Sequence, residues 1–163
     1  MNLLFFPFVG GAVVTFHAFD RFLDKSIDTV MLEMPGRFAR KDEPVAERVE
    51  DIASDFLTGN ETLLKSGEYA VFCHSMGVLC AVEFIRQALE KNLPMPVHMF
   101  ISGRYTPDGK FFANADDCTD KEIVDFFTEK GLMQKSAATD TALIEETNAI
   151  LCHDMRMAEK YTE

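Results

Sequence analysis

Four short apolar runs, at residues 3–6, 28–32, 69–73 and 97–102, alternate along the chain with longer segments at 15–23, 45–64 and 76–91 whose apolar positions recur at helical spacing. The runs have strand length and turn residues beside them, and the segments between are long enough to cross back over a sheet. The alternation therefore predicts right-handed βαβ crossovers and a mostly parallel sheet. Asn60, Gly67 and the triplet Asn92-Leu93-Pro94 read as helix stops. After Arg104 the character changes. Thr106-Pro107-Asp108-Gly109 reads as a turn, and two amphipathic stretches follow at 120–130 and 141–161 with no further strand pattern. This divides the chain into an α/β part, residues 1–105, and a helical part, residues 106–163. No internal repeat or low-complexity linker interrupts it.

Composition narrows the function classes. Hydrophobic residues make up 47% and charged residues 26% of the 163, as in an ordinary globular domain able to bury a real core. A net charge of −11 leaves no basic stripe to neutralise phosphates, so no nucleic-acid partner is expected. Cys73, Cys80, Cys118 and Cys152 lack C-x-x-C spacing, which points to reduced, mostly buried thiols. No His, Asp or Glu group has metal-ligand spacing and no G-x-G-x-x-G follows a strand; no metal and no nucleotide are expected. The uncharged run 3–16 has the length of a signal-peptide core, but no positive residue precedes it and Pro7 and Gly10-Gly11 break it. A buried strand explains it better, with no membrane partner and a cytoplasmic location.

The candidate chemistry sits at Cys73-His74-Ser75-Met76-Gly77, between the third apolar run and the helical pattern that follows. In the nucleophile elbow, G-x-S-x-G, a serine occupies a sharp strand-to-helix turn that pushes its hydroxyl into the open. Gly77 fills the second glycine position and Cys73 stands at the first. Alone, S-x-G also fits a plain junction in which Ser75 caps the helix. The loop after the first strand, Pro7-Phe8-Val9-Gly10-Gly11, adds context, since acyl transfer needs two backbone N–H donors aimed at an oxyanion. Met76 and Phe8 or Val9 would supply them, with Gly10 and Gly11 allowing close approach; a simple Gly-Gly turn is the alternative. His74 adjoins the serine but points elsewhere in an elbow and is not expected to act as its base. His17, His98 and His153 have no carboxylate at a telling spacing, and the pair His153-Asp154 diverges on a helix and is a weak surrogate dyad.

Phe6-Pro7-Phe8-Val9-Gly10-Gly11, Glu33-Met34-Pro35-Gly36-Arg37, His74-Ser75-Met76-Gly77 and Phe100-Ile101-Ser102-Gly103-Arg104 occur in an order and spacing that resemble the type II thioesterases of nonribosomal peptide and polyketide synthases. The stretch from Leu151 to Tyr161 is similar to the end of that family's lid, with Cys152 and His153 as departures. The resemblance covers essentially the whole chain. It implies an α/β-hydrolase-type, mostly parallel sheet with flanking helices and a helical lid. It also implies that the triad acid and base lie on later loops, so the chain reads as the N-terminal two-thirds, lacking its C-terminal strands and leaving an unpaired sheet edge through which it could self-associate.

By the same resemblance, Ser75 is the nucleophile in hydrolysis of acyl or aminoacyl thioesters carried on the phosphopantetheine of an acyl or peptidyl carrier protein, with no cofactor of the enzyme's own and with activity impaired in so short a chain. The lid would give the acyl pocket an apolar wall of Phe111, Phe112, Phe126, Phe127, Leu132, Met133, Ile150, Met155 and Met157. Other readings are an esterase acting on small free esters and a truncated, non-catalytic binding domain. Arg37, Arg40 and Lys41 form the densest basic cluster, readable either as a docking patch for an acidic carrier or as a solvated loop.

Overall fold

A computed structural model describes residues 1–104, 115–133 and 141–161. Four strands, β1 (Asn2–Phe6), β2 (Asp28–Met31), β3 (Tyr69–His74) and β4 (His98–Ser102), form one parallel sheet in the order β2-β1-β3-β4. The expected alternation gives this sheet directly, with each strand shifted by one residue at one of its ends. β1 and β3 are central, and a strand covered on both faces must be apolar at every position. Leu4, Phe6, Val71 and Cys73 enter the main core on one side, while Leu3, Phe5 and Ala70 join Phe16 in a smaller cluster on the other. β4 has β3 as its sheet partner, and its Phe100 and Ile101 are 48% and 60% exposed.

The main core is closed by two helices, α1 (Val49–Ser66) and α2 (Met76–Glu90). Val49, Ile52, Ala53, Phe56 and Leu57 recur at i, i+3, i+4, i+7 and i+8, which lays one apolar stripe of α1 on the sheet and on α2. Two sequence expectations change here. Helix α1 begins at Val49 rather than residue 45, and Asn60 does not stop it: its side-chain amide donates to the Phe56 carbonyl inside the helix. Gly67 does end it.

The segment 15–23, expected as a helix, is instead two short 3₁₀ turns, Val13–Thr15 and His17–Arg21. A 3₁₀ turn eclipses residues three apart, and Phe16 and Phe19 both meet the Phe5 ring, at centroid distances of 5.1 and 5.5 Å. Cross-sheet aromatic packing overrides the helical period.

The last elements are α3 (Asp120–Glu129) and α4 (Thr141–Lys160), which pack on each other over the carboxyl ends of the strands. A capping box starts α3: the Thr119 hydroxyl accepts from the Glu122 amide, and the Glu122 carboxylate accepts from the Thr119 amide. Leu151, Cys152, Met155, Met157 and Ala158 of α4 belong to the same buried cluster as α1 and α2. The turn at 106–109 and Phe111 and Phe112 lie outside the described residues.

Candidate active site

Ser75 joins β3 to α2 with φ 54° and ψ −119°, a backbone conformation that L-residues avoid. Two contacts impose it. The Ser75 N–H donates to the Ser102 carbonyl at the end of β4, 2.9 Å away, and α2 starts at once because the Ser75 carbonyl accepts from Val78. Helix α2 also runs close to β1: a Cβ on Gly77 would lie 2.4 Å from the Phe6 carbonyl oxygen and 2.8 Å from that of Pro7. Only glycine lets the helix come so near. Ser75 makes no side-chain cap bond to α2, so the capping alternative is set aside. Among the described residues no side chain shares a hydrogen bond with the Ser75 hydroxyl.

Cys73 is fully buried under this turn, its thiol donating to the Phe100 carbonyl, and burial pushes its pKa up to about 12. His74 points away from the serine. Its Nδ1 is 3.0 Å from the Ser102 hydroxyl, its ring meets Phe8 edge-on at 5.6 Å, and burial lowers its pKa below the ordinary histidine value. Gly103 admits that ring, since a Cβ there would lie 2.3 Å from the imidazole. Sequence reasoning placed Gly103 in a motif without seeing this role.

The loop after β1 faces Ser75. In it, the Gly11 N–H donates to the Phe8 carbonyl and the Gly10 N–H donates to the Asp154 carboxylate of α4, both at 2.8 Å. Pro7 has no N–H. The donors left in this stretch are the amides of Phe8 and Val9; Val9 lines a cleft together with Ser75 and Met76, and the Met76 N–H is among the orphan donors at the start of a helix. The two loops and the helices above them enclose a cavity of about 400 Å³, lined by Phe8, Val9, Gly10, His74, Ser75 and Gly103 below and by Phe127, Leu132, Met133, Thr147 and Leu151 above.

Of the apolar wall expected from sequence, Phe127, Leu132 and Met133 line this cavity. Ile150 borders a separate opening beside Val45 and His153, Met155 lines a narrow cleft behind Ser75, and Phe126 and Met157 pack into the core. Thr147 and Leu151 were missed; they lie one turn apart on a helix whose inward face shows only when it is docked.

The basic cluster takes a different form. Arg37 is buried at 3% exposure in a bidentate pair with Asp154, and Arg40 is bound by Glu43 and Asp55. Only Lys41 of the three stands fully in solvent, so the three do not form one exposed basic patch. The Arg37 charge is taken up by a partner 117 residues away, and that of Arg40 by nearby Glu43 and by Asp55 of α1. His153 contacts the Ala46 carbonyl and Asp154 holds Arg37, so this pair does not address Ser75. His98 lies on the exposed edge strand against Phe100, and His17 sits in solvent beside Asp20. Among the described residues there is no cluster of three or more metal-ligating side chains, and no helix is long and apolar enough to cross a membrane.

A family model described as the thioesterase domain matches residues 1–163. Thioesterase PikA5 of Streptomyces venezuelae is 31% identical over 107 residues, covering 66% of this chain and 38% of its own length. The medium-chain S-acyl fatty acid synthase thioesterase of Homo sapiens is 23% identical over 164 residues, covering 99% of this chain and 62% of its own. The structure of RedJ, a thioesterase from the prodiginine biosynthetic pathway of Streptomyces coelicolor, superposes on the whole chain with a TM-score of 0.90 at 26% identity, over 64% of RedJ. The chain thus spans less than two thirds of the length of each.

Proposed function

Because the chain belongs to the thioesterase domain family, we propose that it is part of a serine thioester hydrolase acting on acyl or aminoacyl groups borne by the phosphopantetheine of a carrier protein. The observation that carries this reading is the strained Ser75 at the carboxyl edge of a parallel sheet, opening into an apolar cavity of about 400 Å³. In it, the Ser75 oxygen attacks the thioester carbonyl, and the amides of Met76 and of Phe8 or Val9 hold the oxyanion. The thiol of the phosphopantetheine leaves, and water then releases the acid from the acyl-serine. No metal or cofactor takes part; the phosphopantetheine belongs to the substrate. The carrier and its long arm deliver the acyl chain beneath α3 and α4, in the cytoplasm.

The test is a comparison, in the full-length gene product, of turnover of an acyl thioester on a carrier protein with turnover of a small free ester. The carrier-bound thioester is expected to be the better substrate, with Ser75→Ala lowering kcat by roughly 10³-fold or more. Preference for the free ester would make the protein a general esterase, and turnover unaffected by Ser75→Ala would remove the serine from the chemistry.

A further inference from the structure

The buried Arg37–Asp154 pair is unexplained by acyl chemistry and is costly to make. Asp154 is 0% and Arg37 3% exposed, and they are 117 residues apart in sequence. Desolvating two charges commonly cancels their attraction, so such a pair adds little net stability over apolar residues of the same size. What it supplies is geometry, because the planar guanidinium and carboxylate fix each other's orientation through two parallel bonds. Those bonds are 2.7 Å, Nη1 to Oδ2, and 2.5 Å, Nη2 to Oδ1. Oδ2 accepts a third, from the Gly10 N–H at 2.8 Å.

The Gly10 N–H lies in the same rigid plane as the Val9 carbonyl. Holding it therefore sets the orientation of the Val9–Gly10 peptide, in the loop that faces Ser75. Gly10 has φ +69°, and a Cβ there would be 3.4 Å from Leu151 Cδ1 of α4, so the loop is held against this helix on its apolar side as well. Leu151 precedes Asp154 by one turn and lines the cavity. The same helix that covers the acyl group thus holds the loop carrying the Phe8 and Val9 amides. It also takes the Gly10 N–H out of reach of the substrate.

We propose that Asp154, supported by Arg37, is a positioning residue that sets the oxyanion donors of the loop after β1 from the covering helix α4. The inference rests on the reading of Ser75 as an acyl-transfer nucleophile. It assigns Asp154 no contact with substrate. Its action passes through Gly10, and a displacement of about 1 Å in a positioned donor is enough to cost roughly 10²-fold in rate.

The experiment uses the full-length gene product with Asp154→Asn and with the paired apolar replacement Arg37→Met/Asp154→Leu, which removes both charges together. Each is measured for kcat and KM on a small acyl thioester, for the rate at which Ser75 is labelled by a fluorophosphonate, and for its urea midpoint. The paired variant should fold, with kcat and the labelling rate reduced roughly 10²-fold and KM within about threefold of wild type. Asp154→Asn, which keeps an acceptor for the Gly10 N–H, should fall between the paired variant and wild type. A folded paired variant with kcat and labelling within about threefold of wild type would overturn the proposal. So would failure of both variants to fold, since the pair would then be structural only. A wild-type chain that is labelled at Ser75 but does not cleave thioesters would contradict the proposed substrate while leaving the positioning role to be read from the labelling rates.

Discussion

Ser75 holds a backbone conformation that glycine would adopt freely and serine does not. Strain of this kind costs about 1–3 kcal/mol and is kept at reactive turns. Ser75→Gly should therefore be more stable than Ser75→Ala by about 1 kcal/mol in equilibrium urea unfolding, after allowing roughly 0.5–1 kcal/mol for the greater freedom of glycine in the unfolded chain. If alanine is the more stable of the two, the elbow is not strained. Ser75 and Gly77 were legible because the requirement is local: a side chain flung outward, and no Cβ where the helix crosses β1. Gly103 and Asp154 were not. Gly103 is needed for the ring of His74, and Asp154 for Gly10 and Arg37, contacts that exist only once distant segments are brought together.

At the scale of elements, the period of apolar residues identified the strands and α2 within a residue or two, because burial on two faces or one stripe writes itself into the sequence. It failed at 15–23, where rings from β1 and β3 decide the local geometry, and at Asn60, where a side-chain bond to the backbone continues the helix that the residue type argued against. The α1–α2 contact carries a titratable group. Glu83 of α2 accepts from Arg86 and Gln87, and Gln87 donates in turn to the Glu50 carbonyl of α1. The bond from Arg86, then those from Gln87 and Tyr161, hold the Glu83 carboxyl below its ordinary value of 4.5, against burial, which acts the other way. A carboxylate whose pKa is lowered by folding stabilises fully above its unfolded value, and the contribution fades as pH falls through the folded one. The stability margin of wild type over Glu83→Gln, on the order of 1 kcal/mol at pH 7, should therefore narrow as pH is taken below 4.5. A margin independent of pH from 7 to 3 would show that the ionised form contributes nothing.

For the molecule as a whole, the parallel sheet and the serine at its carboxyl edge followed from alternation and from one short motif, whereas the surface did not. Charges close together in sequence, Arg37, Arg40 and Lys41, implied a patch, but two of the three turn inward to carboxylates from α1 and α4. Charge clustering along a chain reports on a surface only where the side chains remain in solvent. The cavity was legible in chemical character and not in membership, since methionine and phenylalanine in the helical part could face either the core or the substrate. The central claim is that Ser75 carries the acyl group between attack and hydrolysis. It is tested most directly by rapid quench of the full-length protein with an acyl thioester, followed by mass spectrometry of its peptides. An acyl mass on the peptide containing Ser75, formed at the rate of thiol release and absent from Ser75→Ala, is the predicted result; steady thioester cleavage with no acyl group on Ser75 at any time would contradict it.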